Sequence, residues 1–317
     1  MRVAVVGAGM VCTDSTKGPS GRGIGLAELA PPAPLAPRLS PFGAPGLVSA
    51  KQERSTSSFL QRCLLVGYKV VSLTGVFSTR VGRGCFLAAY EGYKSIWDTA
   101  HLKVLATLVK PGTTVVDVGA NVGFYTRRFA EWVRPGGEVI AIEPEEVNFA
   151  TLKRVMGRRG LVNVLPVQAV AAESAGKLRL EKNPFHPADH RIGDATSVAA
   201  NRNCVDVEAV TIDGVLRERG WPAVSLMKID VQGAEERVLK GAMETLGQLR
   251  PAVFMEVDDA ALRAMASSAE SVLNLMFSCR YEAYRIGGHG ACRVSKGEAL
   301  RVCQQGSYVD LLFRPVE

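Results

Sequence analysis

A chain of 317 residues with 47% hydrophobic and 22% charged residues has the make-up of a globular protein. That excludes a wholly disordered chain or a collagen-like repeat and leaves ample material for a buried core. The net charge of +7 is scattered, with no run of five Lys or Arg, and reads as a solvated basic surface rather than a nucleic-acid patch. No apolar run reaches the roughly 18 residues that a membrane-spanning helix needs.

The first 58 residues stand apart. Thr13 to Ser58 holds 7 of the 16 prolines and 6 glycines, with neither helical nor strand periodicity, and is expected to be a flexible tail. Val3 to Cys12 begins like a dinucleotide fingerprint, but no helix follows to aim amides at a pyrophosphate. The tail's acid-poor, Ser- and Arg-containing make-up also fits an organelle transit peptide, the alternative to a cytoplasmic chain. Seven cysteines, odd in number, spread out and without a C-x-x-C pair, fit free thiols in a reducing compartment and give no zinc site.

Residues 59–110 read as an extension preceding the main domain, with a strand over Cys85–Tyr90 and a helix over Ser95–Val109 ended by Pro111-Gly112. Over 111–317 strands and helices alternate. Strands are expected at Thr114–Val118, Glu138–Ile142, Asn163–Val170, Val224–Ile229 and Ala252–Val257. Helices are expected at Phe124–Val133, Glu145–Arg158, Ala234–Leu246 and Asp259–Phe277. Gly176 to Arg202 reads as irregular with a short strand at Lys177–Leu180, Val205–Val210 as extended, and Tyr281–Ile286 and Tyr308–Phe313 as closing strands. Repeated β-α-β units imply right-handed crossovers and a doubly wound α/β sheet, with ligands beyond the strands' carboxyl ends.

The sharpest motif is Asp117-Val-Gly119-Ala-Asn121-Val-Gly123, a strand running through a glycine turn into a helix. Glycine permits the tight turn and close backbone approach. The D-x-G-x-x-x-G spacing differs from G-x-G-x-x-G, and a carboxylate at the strand end repels phosphate while suiting a ligand with ammonium and sulfonium charge. That points to S-adenosylmethionine. Glu143, ending the next strand about 20 residues on, is placed to accept hydrogen bonds from ribose hydroxyls. Gln168 and Ala169 follow the third strand, where an adenine would lie. Lys228-Ile-Asp230-Val-Gln232-Gly233-Ala-Glu235 brings a third strand end to the same edge. Asp230 is the first candidate base for an acceptor hydroxyl and Glu256 the second. With Asp258 they are also an alternative oxygen-rich magnesium site. His186 and His190 lie in a Pro-containing loop at 184–200 that would face the acceptor.

Residues 113–257 resemble the FkbM family of S-adenosylmethionine-dependent methyltransferases, on Asp117–Thr126, Glu143–Lys153, Lys228–Glu235 with Val238–Ala242, and Pro251–Glu256. The resemblance implies a class I, Rossmann-like, seven-stranded and mostly parallel sheet, and O-methylation of a small-molecule, sugar or lipid hydroxyl. Gln232 stands where that family usually has Glu, which removes a carboxylate from beside Asp230 and weakens a metal site. The competing readings are a nucleic-acid methyltransferase and an NAD-dependent oxidoreductase. Against the first, the fourth strand ends in Asp-Val-Gln-Gly rather than N/D-P-P-Y/F, and Asn183-Pro-Phe-His186 precedes that strand.

Overall fold

The structure, a computed structural model, describes residues 98–181, 191–192, 204–287, 290–305 and 308–316, with residue 92 besides. The tail, the strand expected over Cys85–Tyr90, and His186 and His190 lie outside the described residues.

In chain order the elements are α1 (Thr99–Leu108), β1 (Thr114–Val118), α2 (Phe124–Trp132), β2 (Glu138–Ile142), α3 (Glu146–Arg158), β3 (Val164–Val167) and β4 (Val170–Ala171). Then follow β5 (Gly176–Glu181), β6 (Arg191–Ile192), β7 (Cys204–Val210), α4 (Ile212–Glu218), β8 (Val224–Ile229), α5 (Glu235–Lys240) and a π-helical turn (Thr245–Leu249). The chain continues through β9 (Ala252–Val257), α6 (Asp259–Ala264), α7 (Ala269–Ser278), β10 (Tyr281–Gly287), β11 (Gly290–Val294), α8 (Lys296–Gln305) and β12 (Val309–Pro315).

The main sheet runs β11-β10-β12-β9-β8-β1-β2-β3. Its five strands from β3 to β9 are mutually parallel, β12 is antiparallel to both of its neighbours, and β11 adds an edge hairpin. Without that hairpin strand the order is that of a seven-stranded class I methyltransferase sheet. The apolar run of β1 is buried at all five positions, as a central strand covered on both faces must be. Alternation sends Val116, Val118, Met227 and Ile229 into one core, against α4, α5 and α7. Val115, Leu226 and Phe254 go into the other, against α1, α2 and α3. Each fully buried Leu, Ile or Phe in these layers contributes roughly 1.5–3 kcal/mol. The chain winds one way from β1 to β3 and the other way from β8 onward. A crevice therefore opens at the carboxyl ends of β1 and β8, where the winding reverses.

Several elements differ from expectation. The strand expected over Asn163–Val170 is interrupted at Gln168–Ala169, and its second part, β4, joins a separate sheet ordered β4-β7-β5-β6. The helix expected over Ala234–Leu246 stops at Lys240, because Gly241 lies against the Ala172 carbonyl; a Cβ there would come within 2.0 Å of that oxygen. The helix expected over Asp259–Phe277 is two. Ala266 is left-handed at φ 57, and the Ser268 hydroxyl accepts from the Ser271 amide to start α7 afresh. β11 and α8 lie in a stretch for which no element was expected.

Candidate active site

The turn after β1 is built against its own chain. Gly119, Asn121 and Gly123 have φ of 74, 50 and 90, and the Asn121 side chain closes the turn by accepting from the Val122 amide at 2.7 Å. A Cβ on Gly119 would fall 1.9 Å from the Asp230 carbonyl oxygen, because the turns after β1 and β8 press together. A Cβ on Gly123 would fall 2.8 Å from Leu152 and Met156 of α3. At both positions the Cβ that glycine lacks would meet protein atoms. Amides of Gly119 and Ala120 both donate to the Ile142 carbonyl at 3.0 Å, which ties this turn to the end of β2.

Glu143 completes that tie. Its Oε2 accepts from the Asn121 amide at 2.8 Å, and its Oε1 from the Glu145 amide at 3.0 Å and the Asn148 side chain at 3.5 Å. The side chain is buried, and among the described residues no ion pair reaches it. Desolvation pushes its pKa up to about 7 despite those donors. Oε2, with the one donor named, can take a further hydrogen bond, which a ribose hydroxyl could supply. Gln168, exposed, and Ala169, buried, follow β3, whose last residue accepts from the Glu143 amide at 3.0 Å.

Asp117 sits differently from the expectation that it would face the methyl donor. It is 0% exposed and turned under α2. Its Oδ2 accepts from the Thr126 hydroxyl at 2.6 Å; among the described residues its Oδ1 makes no hydrogen bond but lies 3.5 Å from the Lys228 Nζ. Lys228 is the residue that the motif reading left without a role. Register puts it beside Asp117 on β8. Its ammonium donates to the Gly119 carbonyl at 3.1 Å, lies 3.4 Å from Asp230 Oδ2 and stands 5.4 Å from the centre of the Tyr125 ring. It is nearly as buried as its partner, so one cation serves two acids that nothing in sequence spacing connects.

Beyond Lys228 an open cleft is walled by Tyr125, Asp230, Phe254, Glu256, Tyr308 and Asp310. The two candidate bases meet there. The Gln232 amide nitrogen donates to Asp230 Oδ1 and to Glu256 Oε1, both at 3.2 Å. Gln232 reaches them from a left-handed backbone at φ 54, held from below by buried Glu235, whose Oε1 accepts from the Val231 and Gly233 amides at 3.4 and 3.1 Å. Burial pushes Glu235 up to about 7. Asp258 is directed elsewhere, with its Oδ1 capping α6 on the Ala260 and Ala261 amides. The magnesium alternative therefore loses its third carboxylate to a helix cap, and an amide stands between the other two. Among the described residues no group of three potential ligands gathers for a metal.

The helix before the family-like segment also reaches this cleft. Asp98, at the start of α1, accepts from the Tyr125 hydroxyl at 2.9 Å and lies 3.9 Å from His101. His101 in turn lies 3.7 Å from Asp310 and 5.4 Å, ring to ring, from Phe254. Burial first, and then Asp98, holds the Tyr125 hydroxyl far above its ordinary pKa, so it stays a donor. Sequence analysis missed Asp98, Tyr125, His101 and Asp310. Alternation within β12 puts Asp310 on the Leu312 face, but nothing in the chain says that α1 folds over it.

The strand order, the glycine turn after β1 and the acid at the tip of β2 define a class I, Rossmann-like methyltransferase. The model of the Methyltransferase FkbM domain matches residues 117–283, and the chain belongs to that family of S-adenosylmethionine-dependent methyltransferases. It is 26% identical over 194 residues to the 2-O-methyltransferase NoeI of Sinorhizobium fredii, covering 56% of this chain and 76% of that one. To the methyltransferase sdnD of Sordaria araneosa it is 30% identical over 198 residues, covering 52% and 73%. Among solved structures it is similar to a methyltransferase FkbM from Methylobacillus flagellatus, at 18% identity and a TM-score of 0.41. That match covers 64% of this chain and spans 43% of the length of that one.

Proposed function

We propose that this chain transfers the methyl group of S-adenosylmethionine to a hydroxyl of a small-molecule, sugar or lipid acceptor bound in the cleft beyond β8 and β9. The observation that carries the reading is Glu143. It is a buried carboxylate at the tip of β2, raised to about 7 by desolvation and met only by backbone and amide donors among the described residues. Ribose hydroxyls would supply the further donors, with Gln168 and Ala169 bordering the base. Bound there, S-adenosylmethionine supplies a methyl group activated by a positive sulfur. Gly119, Asn121 and Gly123 shape the turn over which the rest of that molecule would lie. Asp117 acts from beneath by fixing Lys228 and Thr126.

On the acceptor side Asp230 is the base proposed to take the hydroxyl proton, with Glu256 beside it. Lys228 and Gln232 orient one oxygen each of the Asp230 carboxylate, which limits the geometries that attack has to search. The names of two relatives, the 2-O-methyltransferase NoeI and the 31-O-demethyl-FK506 methyltransferase FkbM, support oxygen as the acceptor atom. The extension read over residues 59–110 contributes α1 to the cleft wall, which supports treating its end as part of the acceptor side. Among the described residues no helix is long and apolar enough to cross a membrane.

Calorimetry with S-adenosylhomocysteine, followed by a panel of hydroxylated acceptors with a deuterated methyl donor and mass detection, tests the proposal. Expected are micromolar-range binding and a deuteromethyl ether on at least one acceptor. A full-length chain that binds no S-adenosylhomocysteine overturns it.

A further inference from the structure

We infer that the amino edge of the main sheet, at the opposite ends of the strands from the cleft, docks on an anionic lipid surface through Lys110, Arg134, Arg158 and Arg159 around an outward-facing Val162. Docking there is independent of methyl transfer. The basic residues are scattered along the sequence, but the winding of the chain gathers these four. The segments that lead from α1, α2 and α3 into the neighbouring strands β1, β2 and β3 carry Lys110-Pro-Gly112, Arg134-Pro-Gly136 and Arg158-Arg-Gly160-Leu-Val162. Hydrogen bonds tie the three segments together. The Gly112 amide donates to the Val133 carbonyl at 2.8 Å, and Arg134 donates to the Asn163 side chain at 3.3 Å. Asn163 Nδ2 in turn donates to the Ala130 and Gly137 carbonyls at 2.9 and 3.2 Å.

The charge of this face is largely uncompensated. All four basic residues are exposed, and among the described residues none of them is ion-paired. Within residues 110–113, 131–138 and 158–163 the acids are Glu131 and Glu138, and Arg219 already holds Glu138 at 2.9 Å. A cation at a helix C-terminus is favoured by the helix dipole, which accounts for a basic residue after each helix but not for Val162. Val162 is 92% exposed. Leu161 before it is buried in the core and Asn163 after it is tied down, so the segment holds Val162 outward instead of folding it under. A fixed aliphatic tip ringed by Arg and Lys matches a bilayer interface, where the cations meet anionic headgroups and the tip enters the apolar boundary. A nucleic acid would match the charge but leave Val162 in water, and Trp132 is packed edge-on against Phe129 rather than offered for base stacking. β1 and β2 have five residues each, which sets the cleft about 17 Å from this edge. A docked chain therefore takes its acceptor from the solution side.

The test sediments the full chain with vesicles of phosphatidylcholine, with and without about 30% phosphatidylserine. Binding to the anionic vesicles is expected to exceed that to phosphatidylcholine alone at least tenfold, and to fall steeply between about 0.05 and about 0.5 M salt. Arg158→Glu with Arg159→Glu is expected to lower affinity for the anionic vesicles at least tenfold. Lys296→Glu with Arg301→Glu makes the same change of net charge at exposed positions of α8, and is expected to stay within about twofold. Val162→Asp is expected to lose at least about threefold. Melting curves show that each variant is folded, which these exposed positions permit. Equal binding to both kinds of vesicle overturns the inference, as do equal losses in the two charge-reversed pairs, undiminished binding by Val162→Asp, or salt-sensitive binding to RNA without binding to vesicles. S-adenosylhomocysteine binding is measured on the same samples; its absence from all of them defeats the methyltransferase reading while the vesicle result still decides this one.

Discussion

The two halves of the strand-tip row meet the same problem, acids at the carboxyl edge of a parallel sheet, in different ways. At β1 and β2 the donors are mostly backbone: Asn121 and Glu145 amides on Glu143, and Gly119 and Ala120 amides on Ile142. At β8 and β9 they are side chains: Lys228 on Asp230, and Gln232 on Asp230 and Glu256. Backbone donors are fixed by the fold and do not yield, so the first half is a preformed seat. Side-chain donors turn about several bonds and face a cleft, so the second half can adjust to an acceptor while still holding its base. A shared molecular frame suits the rigid half, and a varied acceptor suits the adjustable one.

Substitutions break this contrast in graded steps. Gly119→Ala drives a Cβ into the Asp230 carbonyl and adds a disfavoured positive φ. Because it wedges the two halves apart it is expected to cost more than about 5 kcal/mol. Chemical denaturation is expected to give little or no folded chain, and a near-normal midpoint would show that the turns do not press together as described. Lys228→Met removes a cation that serves both halves and leaves Asp117 buried, with the Thr126 hydroxyl as its donor among the described residues. The expected loss is about 3–5 kcal/mol in urea unfolding. Adding Asp117→Asn should restore part of it, and a double variant no better than Lys228→Met counts against the pairing.

Asp230→Asn sharpens the contrast by touching only the adjustable half. Turnover is expected to fall about 100-fold or more while S-adenosylhomocysteine affinity stays within about twofold, read by mass detection and calorimetry. Normal turnover would move the base role to Glu256. Glu143→Ala does the converse on the rigid half, where about a tenfold or greater loss of S-adenosylhomocysteine affinity is expected. Undiminished binding would remove Glu143 from the seat.

The smallest effect is a pH dependence. Glu143 is raised to about 7, so its ionised form, with its full set of acceptors, is populated as pH climbs through that value. S-adenosylhomocysteine affinity is expected to rise a few-fold between about pH 6 and about pH 8 and then level, with Glu143→Gln flat. Stability runs the opposite way. Glu143 and Glu235 are both raised to about 7 from an unfolded value near 4.3, so the folded chain holds more protons than the unfolded one between those limits. Their contribution to stability is lost as pH rises through that window. Melting curves of Glu235→Gln should flatten that slope, and an unchanged slope would remove Glu235 from it.

The sequence by itself determined the alternation of strands and helices, and with it the strands β1, β2, β8 and β9 to the residue. Short β-branched and apolar runs bounded by turn residues have few other ways to be buried. It also determined which acids lie at or next to the ends of those strands, since strand ends are legible from the local apolar pattern and the turn residues that follow. Only the tertiary structure decided what those acids do. Asp117 turns under α2 onto a lysine more than 100 residues along the chain, Gly119 is demanded by the Asp230 carbonyl, Gln232 lies between two carboxylates, and α1 brings Asp98 and His101 to the cleft. Each of these depends on register across neighbouring strands or on how a helix lies over them. Such contacts are set by packing of the whole sheet, and residues near in sequence carry no record of them.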